Sequence, residues 1–491
     1  MKKTKFFIYC FFLVTSFFFG QTFTTPNTGV TWTLDDIAMQ SPTTITVSGS
    51  DYVLLENLEI AENDTVEINT DLTLSIAADL RVTVFGTFLV DSNSVLITAV
   101  DEATPYDGFR FEEFSTISIQ NTTIQFGGGL RVLTETFLLN NCTLTNNVSG
   151  VSTGAVVSLS RGMPEITNNT FTFNELPAVS SAANAEVSAY IFNNYMEANN
   201  QSNSNRPQIN MGATMVANPL RIIQNTIIGD PALTQVGGIA VANLVGGSVN
   251  TEIDGNIIQG NRYGMTIVGP SFAFVRDNII EDNNTQGEPN IGGSGISLNA
   301  SSGNMEVIAS GNQIRRNLWG ITVIGEASIN LGDDVDNEGR NVFSENGNNG
   351  VVYALYNNTP NTLQAKHNCW IEGQVNTLAD AEAVVFHQVD DASLGEVLFD
   401  PVGVGCEGLS VTDDFLAETF SFYPNPVKES LHFDNTLSFE KVAIYTLEGR
   451  LISTKTLSEG ENKITIQFAK GLYLAIFSNN DLKLSRKLLV N

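Results

Sequence analysis

Histidine is nearly missing from this chain. It occurs three times in 491 residues, at His367, His387 and His432, so general-base chemistry built on imidazole has little to draw on. Cysteine is scarce as well, with four residues, one of which, Cys10, lies in the first twenty. The other three, Cys142, Cys369 and Cys406, are odd in number, which excludes a fully paired disulfide framework. Beyond the first twenty residues there is no run of about eighteen apolar residues, so the rest of the chain supplies no membrane-spanning helix. Between Gln21 and Leu409 lysine is represented by Lys366 alone, and 43 acidic residues face 12 basic ones, a net of −31. Such a surface repels nucleic acid and anionic membranes, because phosphate recognition needs Lys and Arg. It suits solubility outside the cell, and it admits calcium or cationic surfaces as partners.

What the chain has in quantity is asparagine, placed to a rule. Asn169-Thr-Phe-Thr-Phe-Asn174, Asn194-Tyr-Met-Glu-Ala-Asn199, Asn225-Thr-Ile-Ile-Gly-Asp230, Asn256-Ile-Ile-Gln-Gly-Asn261, Asn278-Ile-Ile-Glu-Asp-Asn283, Asn312-Gln-Ile-Arg-Arg-Asn317 and Asn341-Val-Phe-Ser-Glu-Asn346 keep one internal frame. Their first asparagines are 25, 31, 31, 22, 34 and 29 residues apart, so insertions fall between the phrases and not within them. A second phrase alternates with the first: Gly238-Ile-Ala-Val, Gly264-Met-Thr-Ile, Gly295-Ile-Ser-Leu, Gly320-Ile-Thr-Val and Gly350-Val-Val-Tyr. Two strand-like pieces per repeat are therefore expected, since apolar alternation at period two indicates strands. A repeat of this length indicates stacked units.

These phrases resemble the repeats of right-handed parallel β-helix proteins. The resemblance implies an all-β solenoid in which Ile258, Ile280, Ile314 and Phe343 form an interior file. It also implies that Asn169, Asn194, Asn225, Asn256, Asn278, Asn312 and Asn341 stack as a hydrogen-bonded ladder, with turn amides satisfied where water cannot reach them. On this reading residues 21–105 are opening coils, with a segment up to about Gln40 covering the first edge. Residues 106–370 carry the ladder repeats, and residues 371–409 close the stack. Leu138-Leu-Asn-Asn-Cys142 brings an ambiguous first copy, with Cys142 interior. Eight coil intervals, from Asn141 to Asn368, separate Cys142 from Cys369, roughly 38 Å by the strand spacing, which excludes that pair as a disulfide. Cys369 and Cys406 both fall near the end of the stack, where an exported protein can keep a bridge; two reduced core thiols are the alternative.

Both ends of the chain speak of export. Lys2, Lys3 and Lys5 precede an apolar run from Phe6 to Phe19, then Gly20-Gln21, the layout of a secretory signal peptide over residues 1–20. After a polar linker, 410–419, residues 420–491 read as about seven short strands, a small antiparallel β-sandwich domain. Its landmarks are Tyr423-Pro424-Asn425-Pro426, Gly449-Arg450, Gly471-Leu-Tyr473 and a basic, apolar terminus. They resemble the C-terminal sorting domain of type IX secretion cargo. The resemblance implies the type IX machinery as partner and delivery of the passenger to the medium or the outer cell surface.

Many parallel β-helices are polysaccharide lyases or glycoside hydrolases, so chemistry must be sought in residues and not in fold. The polygalacturonase-type set, an Asp cluster with Gly-His-Gly and Arg-Ile-Lys, is absent. The one mixed-charge cluster is Asp254, Arg276, Asp277, Glu281, Asp282, Arg315 and Arg316. In the repeat frame Asp254 neighbours Arg276 and Glu281 neighbours Arg315 across one coil, an arrangement that stabilises a sheet without any ligand. Asp334, Asp336, Glu338 and Glu345 approach the spacing of a calcium loop, with Glu338 where a shorter residue belongs and no flanking helices; calcium is the one cofactor suggested. Tyr263 and Trp319 each precede a repeat glycine, facing outward to stack on sugar rings or packing into the turn. Asp64-Thr-Val resembles an O-glycosylation sequon. The expectation is a surface-exposed, adhesin-like or carbohydrate-binding β-helix, with a lyase or hydrolase on its long face as the alternative.

Overall fold

The computed structural model describes residues 21–406, 420, 422–424, 427–428, 430–435, 438–446, 451–479 and 483–490. The expected signal peptide and linker lie outside them. Two compact units are present: one runs to Ile371 and includes Asn376–Val404, the other holds Glu372–Val375 and Gly405–Asn491.

The first unit is a right-handed parallel β-helix. Three long sheets of 14, 14 and 13 strands run along it, and almost every pairing within them is parallel. One coil shows the plan. Met265–Val268 lies in the first sheet, Ser271–Arg276 in the second and Ile279–Glu281 in the third, and Ser294–Ala300 then opens the next coil back in the first. Each coil thus has three strands and not two. The glycine phrase forms the first-sheet strand and the asparagine phrase the third-sheet strand. The second-sheet strand precedes the asparagine and carries no fixed residue.

Alternation places one apolar side chain in two on the inside. Ile258, Ile280, Ile314 and Phe343 are register partners in successive coils and essentially inaccessible, each contributing about 1.5–3 kcal/mol by burial. The repeat glycines are required by space. A Cβ on Gly264 would lie 2.5 Å from both Gly295 O and Ile280 Cγ2, closer than any side chain tolerates.

Most corners beside the third sheet in the ladder repeats are turned by one residue in the left-handed region, followed by a buried asparagine. Asp277 (φ 52°) precedes Asn278, Asp282 (φ 56°) precedes Asn283 and Arg316 (φ 52°) precedes Asn317. The asparagine then serves its neighbours. Asn278 Oδ1 accepts from the backbone N–H of Asn256 at 3.0 Å and from Asn256 Nδ2 at 2.9 Å, while Asn278 Nδ2 donates to Ile253 O at 2.9 Å. The ladder runs through all seven expected asparagines and on to Asn368. At its start Cys142, not Asn141, holds the ladder position, donating its N–H to Asn169 Oδ1 at 2.9 Å.

A second ladder follows the third sheet through Asn147, Asn174, Asn199, Asn261, Asn283, Asn317 and Asn346. Asp230, which ends its phrase where the others have asparagine, is not in this file. Its Oδ1 accepts the Ala232 N–H at a turn, and Gln208 enters from the next segment to bridge the gap. Asn199 Nδ2 donates to Gln208 Oε1 at 3.0 Å, and Gln208 Nε2 donates to Asn261 Oδ1 at 3.1 Å. An ionised aspartate has no N–H to hand on along the file, whereas an amide both accepts and donates.

A second departure is at Gly350, whose φ of +81° follows Asn349 at +51°. Asn-Gly makes a tight hairpin turn, so Val351–Val352 folds back on Gly347–Asn348 and Leu355–Asn358 supplies the first-sheet strand instead.

The ends are closed. Thr33 caps a helix, Leu34–Gln40, whose Leu34 and Ile37 enter the core. Residues 25–30 cross the opening coils, and the buried Asp64 holds them by accepting the N–H groups of Asn27, Thr28, Gly29 and Val30 at 2.8–3.3 Å. At the other end Trp370 stacks on Phe343 at 5.1 Å, and a short capped helix, Leu378–Glu382, leads into the last first-sheet strand, Val385–Phe386. Cys369 and Cys406 are both disulfide-bonded, and Cys142 is a free, buried thiol.

In the second unit, strands Phe422–Tyr423, Ser430–Asn435 and Gly460–Thr465 form one antiparallel sheet. Leu451–Thr456, Lys441–Thr446, Gly471–Ser478 and Lys483–Val490 form another. Phe477 anchors its core, with Phe420 at 4.8 Å, Phe433 at 5.1 Å and Phe439 at 5.8 Å.

Asn278→Ala strands the Asn256 N–H and side-chain amide and the Ile253 carbonyl. A stability loss of about 1–3 kcal/mol per stranded group is expected, measured by urea unfolding; a loss within error would mean that water replaces the ladder. For Asp64, burial raises the carboxyl pKa, but hydrogen bonds from Thr25, Asn27, Val30 and Gly29 outweigh it and the net shift is downward. Its stabilisation is therefore complete above the unfolded value of about 3.9 and fades as pH falls through the lower folded value. Amide exchange at residues 27–30 is expected to accelerate in that acid window, beyond the intrinsic pH trend, in the native chain and at neutral pH in Asp64→Ala.

Candidate functional site

The outward positions of the first sheet make a groove. Two residues after Gly264, Gly295 and Gly320 stand Thr266, Ser297 and Thr322, which with Tyr356 in the next coil are successive register partners on the outward side. Short side chains keep the floor low. The walls come from a long insertion, including Pro289, Asn290 and Ile291, and from aromatic rings at the positions before the glycines. The cavity holds about 510 Å³, within the range of small-ligand sites.

Trp319 stands in the wall with its centroid 4.6 Å from Tyr353 and 5.2 Å from Tyr356, and Tyr356 in turn stacks on Phe386 at 4.7 Å. The indole Nε1 donates to Pro289 O at 2.9 Å, which fixes the ring and leaves its face as the surface on offer. Arg262 steadies the same insertion: Nε donates to Ile291 O at 2.9 Å and Nη1 to Asn205 Oδ1 at 2.6 Å. Tyr263 also lines the groove, but its ring lies flat against the coil. A Cβ on Gly237 would fall 2.1 Å from its Cζ, and burial pushes its phenol up to about 12 against the pull of Arg262. Tyr263 is mainly turn packing, and Trp319 is the presented ring.

The mixed-charge cluster lies elsewhere, on the second and third sheets and their shared corner. The register sets Asp254 opposite Arg276 and Glu281 opposite Arg315. Arg276 Nε is 3.6 Å from Asp254 Oδ2. Arg316 forks onto Asp282 with two contacts of 2.8 Å and reaches Glu281 at 3.0 Å. The Asp254 carboxyl pKa is shifted upward by burial first, with Asp277 and Glu252 adding to it and Arg276 opposing. Asp277 sits on the left-handed corner residue, exposed.

The calcium-like loop is not assembled into a site. Asp334 pairs with Lys366 and His367, and Glu338 with Arg340. Asp333, outside the expected ligand set, takes the loop amides instead, accepting from Val335, Asp336 and Asn337. Among the described residues no group of three or more His, Cys, Asp or Glu is placed to hold a metal ion. Asp64 serves the residue 25–30 segment, as described above. His387 is buried, its Nδ1 accepting the Val397 N–H at 3.0 Å and its Nε2 3.3 Å from Glu382, a structural role at the closing end.

In the second unit Tyr423 is exposed, and Tyr473 is buried, donating to Ala469 O at 2.8 Å. Gly471 opens its strand, Gly471–Ser478. Asn425, Pro426 and Gly449 lie outside the described residues.

Comparison with protein families matches residues 421–491 to the secretion system C-terminal sorting domain. The chain thus carries a type IX sorting domain and is a secreted protein delivered to the outer surface. Comparison with curated proteins finds no match. Among solved structures, crystal structures of the periplasmic alginate epimerase AlgG are similar over 76% of this chain and 82% of theirs at 14% identity. The TM-scores are 0.38 and 0.32 for two point mutants and 0.29 for a third structure of the enzyme.

Tyr356 and Arg262 were not reachable from the repeat phrases, and Tyr353, although it ends the Gly350 phrase, carried no signal of its own. The residues two past Gly264, Gly295 and Gly320 are all hydroxylic, but their partner in the next coil, Tyr356, lies six past Gly350, beyond the hairpin, and has no place in that series. Gly237→Ala is expected to cost about 1–3 kcal/mol by overpacking against Tyr263 and to cost much less in a Tyr263→Ala background. Additive losses in urea unfolding of the double mutant would show that the ring does not rest on that glycine.

Proposed function

We propose that the passenger is a carbohydrate-binding, adhesin-like surface protein whose ligand lies in the first-sheet groove. The observation that carries this is the composition of the lining. Rings, hydroxyls and amides surround one arginine, and neither carboxylate nor histidine is among the described residues that line it. Sugars are recognised by this combination of a flat ring face for their C–H surface and fixed polar groups for their hydroxyls. Trp319 and Tyr356 are assigned the stacking role and Tyr263 a supporting one. The ladder asparagines are assigned the scaffold role, since they fix the spacing at which the groove side chains are presented. The domain organisation follows: a passenger up to about residue 409, and a C-terminal domain from 420 that engages the type IX secretion machinery.

A second reading keeps some support. Asp254, whose carboxyl pKa burial shifts upward against the pull of the facing Arg276, is shifted in the direction a general acid requires. With Asp277, Glu281 and Arg315 it would form the site of a lyase or hydrolase on the long face.

The test is to apply the purified chain to a polysaccharide array, with and without calcium, and to assay for unsaturated or reducing-end products. Retention without product, falling about tenfold (1.4 kcal/mol) or more in Trp319→Ala and unchanged in Asp254→Asn, is expected. Product formation that Asp254→Asn abolishes would replace the binding reading with the enzyme.

A further inference from the structure

The groove also carries information on which carbohydrate it takes. Its floor and end wall come from four consecutive first-sheet strands, marked by Thr266, Ser297, Thr322 and Tyr356. Neighbouring strands are about 4.8 Å apart, which is close to the advance of one pyranose ring in an extended glycan. The three intervals therefore offer roughly 14 Å of floor, one hydroxyl-bearing step per sugar, closed at one end by the ring of Tyr356. Length is thus set by the strand spacing and by where the aromatic series interrupts the hydroxyl file.

Charge sets the class. A site for acidic sugars presents an arginine fork or lysine to each carboxylate. Here the one charged lining residue, Arg262, directs its fork into the wall, onto Ile291 O and Asn205 Oδ1, and the adjacent indole N–H is committed to Pro289 O. Around the groove stands a passenger of net charge −31 between Gln21 and Leu409, whose field opposes polyanions within a Debye length of about 8 Å at physiological salt. What remains on the groove side is uncharged: the Thr266 and Ser297 hydroxyls, the largely buried Thr322, whose Oγ1 lies 3.0 Å from Ser294 Oγ, and the rings of Trp319 and Tyr356.

We infer that the first-sheet groove binds a neutral oligosaccharide of about three pyranose units, laid along the helix axis with one unit per coil. This rests on the carbohydrate-binding reading above, and the experiment separates the two. The full chain is titrated calorimetrically with neutral glucose and mannose oligomers of two to six units and with uronic acid oligomers of the same lengths. Tryptophan emission is followed in parallel. Of the three tryptophans, Trp370 is buried and Trp32 packs against the core, so a ligand-dependent shift reports on Trp319.

At least one neutral series is expected to bind, with affinity rising roughly tenfold from dimer to trimer, levelling beyond it, and holding steady as salt is raised. The uronic acid oligomers are expected to bind at least tenfold more weakly. Trp319→Ala and Tyr356→Ala are each expected to abolish the tightening at the trimer while thermal unfolding stays cooperative. Affinity that keeps climbing to the hexamer would overturn the length. Tighter binding of uronic acids, weakened by salt and by Arg262→Gln, would overturn the ligand class and leave the groove in place. No binding by any oligomer would remove the carbohydrate reading itself, and binding that ignores both aromatic substitutions would remove the groove as its site.

Discussion

Everything in the passenger depends on satisfying backbone amides at corners that water cannot enter. A coil that wraps once and stacks on its neighbour buries its bends as well as its strands, and an unpaired N–H or C=O at a bend costs as much as a lost hydrogen bond. The side chain of asparagine offers an acceptor and a donor on a stem short enough to stay in the corner. Two files of it run beside the third sheet, and the residue before each takes the left-handed conformation that turns the chain. Because both files stand at fixed positions, the strands between them are locked in register, and insertions collect on the remaining sides. The groove is one result: a 34-residue interval between Asn278 and Asn312 supplies the wall that Trp319 and Arg262 hold.

The solenoid was readable because its constraint is periodic. Asn at a fixed frame and Gly before an alternating strand are each dictated by a single local need, an amide at the corner and a missing Cβ where coils touch. The second-sheet strands were invisible for the opposite reason. Stretches such as Ser271–Arg276 answer only to alternation, and six residues of alternation between two stronger phrases merge with them. Gly350 misled because Asn-Gly has a stronger use as a hairpin turn than the repeat had for it. Gln208 could not be seen because it repairs the ladder from a different segment, a relation that exists only once the coils are stacked.

The candidate site was half legible. Trp319 stood out by its place before a repeat glycine, and Tyr263 by the same rule, yet the rule does not say which ring lies flat. Gly237 decides that, by leaving room for the Tyr263 ring. Tyr356 required knowing that Leu355–Asn358, not Val351–Val352, continues the sheet. The charge cluster was placed correctly in register because its residues ride on the asparagine frame, although the corner adds Arg316 to the partners of Glu281. In each case what the repeat fixes is position along the coil, and what tertiary packing adds is the direction in which a side chain leaves it.

The ladder has a polarity. Each asparagine oxygen receives protons from the coil before it, so a coil is complete only when its successor has arrived. The first file ends at Asn368, whose amide nitrogen donates to Leu331 O of the coil before it and to Ala365 O and Lys366 O of its own. The two ends of the solenoid are therefore not equivalent. Removing coils from the front leaves every remaining ladder backbone N–H with its acceptor and frees only the side-chain N–H of the first asparagine, whereas each coil lost from the back opens the backbone N–H behind it. For a chain that emerges amino end first, the growing tip is always the unsatisfied one, and the stack closes only when its last coil is in place.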